Sequence, residues 1–291
     1  MKISGNYTAL ITPFKKNGQV DYKKLEELVL FQISNKTDGI VALGATAEAH
    51  LLNAQEKCKI MQIIVKNTCK STKIVAGLTS TRTEDLIQEA HARFIDGADA
   101  ILVCTPSYIK PTQTGLYNHF SKIADYSLLP IILYNNPSRT GVNLEYETIK
   151  KLSTHPNIIG IKEANNNFSH IVKVSSLADD NFSLICGNDE FLLPFLSLEA
   201  SASISVIGNI APDIVHNVIS EYHNNPIQSI EIFNQFAPII EAMSMAPNPI
   251  SIKYIMQRLD MCKANYRQPL CPPDKKTKIK INKLIAKMLK T

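Results

Sequence analysis

Short apolar runs alternate with longer amphipathic stretches along the whole chain of 291 residues. Eight of these runs are rich in valine and isoleucine, and most of them lack a regular alternation of apolar and polar positions. Such runs are typical of strands that are buried on both faces of a parallel sheet. The predicted strands are Tyr7–Ile11, Gly39–Gly44, Lys73–Leu78, Ala100–Thr105, Pro130–Asn135, Ile158–Ala164, Phe182–Asn188 and Ser201–Val206.

Amphipathic stretches with helical spacing lie between several of these strands. Thr83 precedes two acidic residues, and we expect its side chain to cap the helix that begins there. The predicted helices are Asp21–Ser34, Ala54–Cys69, Thr83–Ile95, Gln113–Tyr126 and Leu144–Ser153.

Strand–helix alternation that repeats about eight times predicts an α/β fold of the (β/α)8, or TIM barrel, type. A doubly wound sheet shows the same alternation, but it normally carries a glycine-rich phosphate-binding turn after its first strand. Here Ile11-Thr12-Pro13-Phe14 follows the first strand instead. The pattern therefore favours the barrel.

The chain becomes wholly helical after Asn209. Helical spacing covers residues 211–220, 227–243, 250–259 and 275–290. We therefore expect the barrel at residues 1–225 and a C-terminal helical extension at residues 226–291.

A formal net charge of +5 raises the question of a polyanionic partner. Residues 275–291 alone contain seven lysines and no acid, so the rest of the chain is slightly acidic. We interpret this tail as a helix whose apolar stripe packs on the barrel while its lysines face water, rather than as a nucleic-acid-binding segment. The predicted stripe comprises Ile281, Leu284, Ile285, Met288 and Leu289.

Composition argues against several other classes of protein. No apolar stretch has the length that a membrane span needs, and the N-terminus lacks the basic and then apolar pattern of an export signal. The six cysteines form no C-x-x-C pair, and no group of histidines has metal-ligand spacing. We therefore expect a cytoplasmic protein without a metal site.

The active site of a (β/α)8 barrel lies at the C-terminal ends of its strands. Lys162 lies near the end of the sixth predicted strand, after Ile158, Ile159 and Ile161. An apolar interior disfavours the charged ammonium, and a neutral amine can attack a ketone carbonyl. Lys162 is therefore a candidate for Schiff-base formation. The alternative is a structural lysine paired with Glu163, although adjacent strand residues point to opposite faces.

Three other polar side chains follow strand ends. Tyr134 ends the fifth strand, where its phenol would transfer protons at a lysine adduct. Arg139 lies in the turn that follows and would bind a substrate carboxylate through two hydrogen bonds. Tyr108 lies in a loop between two prolines. Each of the three also fits a packing or surface role, and their positions alone leave that alternative open.

The segment Gly44–Glu48 follows the second predicted strand. Its backbone N–H groups around Ala45 and Thr46 would suit a carboxylate, although a glycine before a hydroxyl residue is a weak signal. Glu48 begins the next helical stretch, where we favour a structural role.

Several segments together resemble the dihydrodipicolinate synthase / N-acetylneuraminate lyase family of class I pyruvate aldolases. The resemblance covers essentially the whole chain and is most specific around Tyr134 and Lys162. The matching segments are Thr8–Phe14, Thr105–Tyr108, Gly115–Phe120, Tyr134–Gly141, Gly160–Ala164 and Pro247–Ile250.

The resemblance implies a role for each candidate residue. Lys162 would bind pyruvate as an imine, and Tyr134 would transfer protons. Tyr108 would complete the site of a neighbouring subunit, and Arg139 would hold the carboxylate of aspartate 4-semialdehyde. The carbonyl of Ile204 would face the pyruvate site.

The family also implies an assembly and a set of substrates. Its members are usually homotetramers built as dimers of dimers, and no metal or organic cofactor is implied. Arg139 favours the synthase branch over neuraminate lyases. The backbone amides of Ala45 and Thr46 would bind the carboxylate of pyruvate.

One departure from the family pattern concerns the segment after the second strand. The family typically has Gly-Thr-Thr-Gly-Glu, whereas this chain has Gly44-Ala45-Thr46-Ala47-Glu48. The first threonine is the hydroxyl that links two tyrosines in a proton relay, and Ala45 lacks it. Ala47 replaces a glycine, which would shift the loop if the backbone there required a positive φ.

The leading hypothesis is condensation of pyruvate with L-aspartate 4-semialdehyde, in lysine and diaminopimelate biosynthesis, with activity reduced by Ala45. One alternative is another pyruvate-dependent lyase, acting on a sialic acid or a keto-sugar acid. The other is a catalytically weakened homologue with a binding role. Ala45 is the sequence feature that supports the last alternative.

Feedback by lysine is expected to be weak or absent. The positions that resemble the family's lysine site carry Ala49, Ala54, Lys57, Thr81 and Ser107, where regulated members tend to have serine, histidines, asparagine and tyrosine. These replacements remove groups that would bind the effector, so initial rates measured against lysine concentration should stay flat. Inhibition at sub-millimolar lysine would contradict this expectation.

Overall fold

The computed structural model describes residues 1–68 and 71–288, and it confirms the predicted barrel. Within the described residues, eight strands pair in chain order from β1 to β8 and close into a barrel. The strands are β1 (Gly5–Ala9), β2 (Gly39–Ala42), β3 (Lys73–Gly77), β4 (Ala100–Cys104), β5 (Ile131–Asn135), β6 (Ile158–Glu163), β7 (Ser183–Cys186) and β8 (Ala202–Ser205).

Helices follow the strands and continue to the C-terminus. Two of the predicted helices, at 83–95 and 113–126, have the predicted bounds. The helices are α1 (Tyr22–Ser34), α2 (Ala54–Asn67), α3 (Thr83–Ile95), α4 (Gln113–Tyr126), α5 (Pro137–Thr140), α6 (Tyr146–Leu152), α7 (Phe168–Ser175), α8 (Leu192–Ser197), α9 (Pro212–Tyr222), α10 (Pro226–Gln235), α11 (Ala237–Ser244), α12 (Ile250–Arg258) and α13 (Lys275–Met288).

Some boundaries differ from those predicted. The predicted helix at 227–243 is divided into α10 and α11, because Pro238 in the first turn of α11 has no N–H to continue the helical ladder. The predicted cap at Thr83 is wrong: Arg82 occupies the cap position, and the Thr83 hydroxyl instead lies 2.8 Å from Nδ1 of His119 on α4. Cys69, the predicted end of the second helix, lies outside the described residues.

The chain divides into two compact units by its internal contacts. The first contains residues 1–5 and 73–204, and the second contains residues 6–72 and 205–291. In the first unit, parallel pairing places Cys104, Tyr134, Lys162 and Ile185 at the same level of four neighbouring strands. The predicted boundary between a barrel at 1–225 and an extension at 226–291 stays a prediction.

The second unit contains the C-terminal helices. The predicted amphipathic helix is confirmed as α13, and its residues Ile281, Leu284 and Ile285 are buried. Helix α13 packs mainly against α11, another C-terminal helix, whereas the sequence predicted that the stripe packs on the barrel. Met288 of the predicted stripe is only partly buried, and most lysines of α13 are exposed. Leu289 and Lys290 lie outside the described residues.

The helices were also compared with the length and hydropathy of a membrane-spanning segment. No helix in the described part of the chain combines the length and apolar character that crossing a bilayer requires.

Gly160 on β6 is expected to be intolerant of a larger side chain. A Cβ there would lie 2.6 Å from the carbonyl oxygen of Ser183 on β7. Gly160→Ala should therefore destabilise the fold by about 1–3 kcal/mol, the usual cost of overpacking. Gly115→Ala on α4 is the matched control, since its Cβ would meet Pro111 and Thr112 at an ordinary 3.5 Å. Denaturant unfolding should separate the two variants, and equal stabilities would contradict the steric argument.

Candidate active site

Lys162 and Tyr134 occupy paired positions on neighbouring strands of the first unit. The Lys162 side chain is buried, with 6 % of its surface exposed. Its Nζ lies 4.5 Å from the centroid of the Tyr134 ring. The structure therefore brings the predicted nucleophile and the predicted proton-transfer residue together.

Glu163 points away from Lys162, as the alternation of side chains along a strand requires. Its carboxylate is completely buried and accepts hydrogen bonds from Asn135 Nδ2 at 3.0 and 3.1 Å and from the backbone N–H of Asn165 at 2.8 Å. His170 Nε2 on α7 lies 3.2 Å away from it. Glu163 is thus satisfied by other partners, and a structural Lys162–Glu163 pair does not explain the buried lysine.

The Tyr134 hydroxyl is held by Asn136, a residue for which the sequence predicted no role. Asn136 Nδ2 donates to Tyr134 Oη at 2.9 Å. Ser138 Oγ donates to Asn136 Oδ1 at 2.7 Å, which fixes the amide with its NH2 group toward the tyrosine. Because the phenol oxygen accepts this bond, its own proton remains available for donation.

Arg139 lies in the short helix α5, which begins with Pro137 and is followed by Gly141 as its C-cap. Gly141 has a φ of +74°, the left-handed conformation that glycine adopts without steric cost. The Arg139 side chain is exposed. This turn therefore presents a guanidinium immediately after the strand that carries Tyr134.

Tyr108 lies in the loop that follows β4, with 97 % of its surface exposed. Its φ is +72°, which is uncommon for a residue with a side chain. Its backbone N–H donates to the carbonyl of Thr140 at 3.3 Å, and Thr105 Oγ1 donates to Thr140 Oγ1 at 2.9 Å. These hydrogen bonds connect the Tyr108 loop to the end of α5, and the Tyr108 ring remains exposed.

The remaining candidates lie on two other strand ends. Ile204 is buried on β8. Ala45 and Thr46 belong to the second unit, in a 3-10 helix at Ala45–Ala47. Ala47 lies in this right-handed turn, whereas Glu48 after it has a φ of +55°. The positive φ thus falls on Glu48, and the replacement of a glycine by Ala47 does not force a shift of the loop.

Cys104 on β4 lies at the level of Lys162, and burial raises the pKa of its thiol. Cys186 on β7 pairs with Glu163, one position further along the sheet, and its thiol is not activated either. Burial raises the pKa of its thiol, and Sγ donates to the carbonyl of Asn188 at 3.1 Å. A buried thiol with a raised pKa is a poor nucleophile. Across residues 1–68 and 71–288, no three histidine, cysteine or acidic side chains are grouped in a way that would hold a metal ion.

A family model and curated relatives both assign the chain to one protein family. Residues 2–288 match the model of the dihydrodipicolinate synthetase family. The 4-hydroxy-tetrahydrodipicolinate synthase of Geobacter metallireducens is 38 % identical over 92 % of each chain. The chain belongs to this family. It is therefore a lyase of the type that these relatives represent.

Solved structures of family members share the fold throughout. The 4-hydroxy-tetrahydrodipicolinate synthase of Methylacidiphilum fumariolicum SolV is similar with a TM-score of 0.95 and 34 % identity, over 99 % of this chain and 97 % of that one. The chloride-inhibited dihydrodipicolinate synthase of Acinetobacter baumannii, complexed with pyruvate, also gives a TM-score of 0.95, with 33 % identity over 99 % of both chains. The barrel of this family member is thus that of the known enzymes.

Proposed function

We propose that this member of the family condenses pyruvate with L-aspartate 4-semialdehyde to form 4-hydroxy-tetrahydrodipicolinate, through an imine on Lys162. The observation that carries the proposal is the buried lysine amine beside the Tyr134 ring. Pyruvate as a substrate is supported by a structurally similar relative that was determined in complex with it. The proposed product is supported by the relatives named 4-hydroxy-tetrahydrodipicolinate synthase. The product class places the reaction in lysine and diaminopimelate biosynthesis.

Imine formation requires a neutral amine and a route for protons. The Lys162 nitrogen attacks the ketone carbon of pyruvate, and the former ketone oxygen leaves as water. Loss of a proton from the methyl carbon then gives an enamine, whose carbon attacks the aldehyde of the second substrate. The amino group of the second substrate then attacks the imine carbon and displaces the Lys162 amine, which closes the ring and releases the product. None of these steps requires a metal or an organic cofactor.

Tyr134 is proposed to carry protons in these steps. Asn136 holds its oxygen as an acceptor, so the phenol proton points elsewhere. A positioned general acid or base of this kind typically accelerates a reaction by about 10²–10⁴-fold. Its ring also forms one wall beside the amine, which excludes water from that side of the lysine.

Arg139 is proposed to bind the carboxylate of aspartate 4-semialdehyde, because a guanidinium matches a carboxylate with two parallel hydrogen bonds. Tyr108 is proposed to complete the site of a neighbouring subunit within a homotetramer. Its exposed ring on a constrained backbone supports this role, since aromatic rings are enriched at interfaces.

The pyruvate carboxylate is proposed to bind the amides of Ala45 and Thr46. Both residues precede the first hydrogen bond of their 3-10 helix, which runs from Ala47 N–H to the Gly44 carbonyl. The helix itself therefore does not use these two N–H groups. The main-chain carbonyl of Ile204 is assigned to the same substrate by resemblance.

Trapping of the imine tests the proposal directly. The protein is incubated with pyruvate and borohydride, and peptide mass spectrometry should then locate one reduced adduct on Lys162. Lys253, another buried lysine, is the internal control because Glu48 engages its amine. No adduct would favour a binding protein without this chemistry. An adduct without turnover of aspartate 4-semialdehyde would favour a lyase with another aldehyde substrate.

Restoring the relay hydroxyl should raise the turnover rate. Ala45 replaces the relay threonine of the family pattern and has no hydroxyl, so Ala45→Thr is expected to increase kcat while leaving imine formation nearly unchanged. A coupled assay with both substrates measures kcat, and borohydride trapping measures the imine. Ala45→Ser tests whether the hydroxyl alone suffices. An equal or lower kcat in both variants would mean that water or another group already carries the proton.

A further inference from the structure

The Thr46 hydroxyl is held by a side chain from a distant part of the sequence. Asn248 Nδ2 donates to Thr46 Oγ1 at 2.9 Å, across 202 positions of the chain. Thr46 is buried, with 4 % of its surface exposed. A buried hydroxyl with a fixed partner has few alternative orientations.

The direction of this hydrogen bond determines what the hydroxyl can do. An amide NH2 group only donates, so the Thr46 oxygen accepts at this contact and its single proton is left to donate to another group. Ala45 and Ala47 have no hydroxyl, and Thr46 is therefore the one hydroxyl in the segment Gly44–Glu48. An ionised carboxylate only accepts hydrogen bonds, so a hydroxyl that is left to donate is a suitable partner for it.

Asn248 is itself held in a tight turn before α12. The N–H of Ile250 donates to the carbonyl of Pro247 at 2.7 Å, and the N–H of Ala246 donates to Ser251 Oγ at 2.9 Å. The amide of Asn248 is thus presented from a backbone with a defined conformation.

A second contact ties the same two segments together. Lys253 on α12 lies 2.5 Å from Glu48 Oε1, and both side chains are completely buried. The lysine nitrogen also lies 4.2 Å from the centroid of the Phe14 ring. The backbone N–H of Arg267 donates to the other oxygen of Glu48 at 3.3 Å.

The ion pair explains why Glu48 remains in its left-handed conformation. A non-glycine residue with a φ of +55° persists when its surroundings determine the conformation. Glu48 is anchored through its side chain, so the loop that ends at Glu48 has a fixed position relative to α12. The Asn248–Thr46 contact joins the same two segments, since Thr46 precedes Glu48 by two residues and Asn248 precedes Lys253 by five.

We propose that Asn248 is a positioning residue for the substrate carboxylate: it directs the proton of the Thr46 hydroxyl toward that group. The inference rests on the proposed role of the Gly44–Glu48 segment in binding pyruvate. Asn248 acts through Thr46 and touches no reacting atom.

A double-mutant cycle separates this role from a general contribution to folding. Asn248→Ala, Thr46→Val and the double variant are compared by the pyruvate concentration that gives half-maximal borohydride trapping on Lys162. Loss of a directed hydrogen bond should raise this concentration by about tenfold in Asn248→Ala. The double variant should be no weaker than Thr46→Val, because residues that act through one another are not additive.

Asn282→Ala is the matched control. The Asn282 side chain on α13 accepts a hydrogen bond at 3.2 Å from Tyr254 Oη on α12, in the same unit. Asn282→Ala therefore also removes one asparagine hydrogen bond, but at a place with no proposed role in binding pyruvate. This variant should leave the pyruvate dependence unchanged, and thermal unfolding of all variants verifies that they fold.

The outcomes distinguish this inference from the proposed function. A wild-type protein that forms no imine would overturn both. An imine in the wild type together with an unchanged pyruvate dependence in Asn248→Ala would overturn the positioning role alone. Additive effects of Asn248→Ala and Thr46→Val, or an equal effect of Asn282→Ala, would also overturn it.

Discussion

The alternation of side chains along β6 is the constraint on which the rest of the site depends. Because neighbouring strand residues point to opposite faces, Lys162 and Glu163 cannot neutralise each other. The acid is instead satisfied by Asn135 and His170 on the outer side of the strand. The amine is left beside the Tyr134 ring. The hydrogen bonds of Glu163 thus connect β6 to β5 and α7 without involving the Lys162 amine.

The loops that carry the other functional groups are constrained in a different way. Tyr108 and Glu48 both adopt left-handed backbone conformations that cost free energy for residues with a side chain. Each is held by contacts to another segment: Tyr108 by the end of α5, and Glu48 by a buried ion pair with Lys253. Two of the six non-glycine residues with a positive φ in the described part of the chain thus lie in loops that carry proposed site residues. The other four have no proposed role in the site: Lys36, Leu43, Glu199 and Asp260.

Hydrophobic patterning was sufficient to predict the eight strands and the long helices, because each spans enough residues for its period to be visible. Helices α5, α7 and α8 were not predicted; each has eight residues or fewer, and so short a segment shows little helical periodicity. Lys162, Tyr134 and Arg139 could be proposed from strand-end positions and a specific resemblance. Asn136 and Asn248 could not. Their roles depend on side-chain contacts, and in the case of Asn248 the partner lies 202 positions away.

The lysine-rich helix α13 is also the main source of the positive net charge of the protein. Its isoelectric point of about 8.7 is basic, yet the seven lysines that account for it lie in residues 275–291. Retention on an ion exchanger, migration in an electric field and salt-dependent solubility therefore report on a surface helix. They carry little information about the chemistry around Lys162, because none of these seven lysines lies in a segment proposed to form the site.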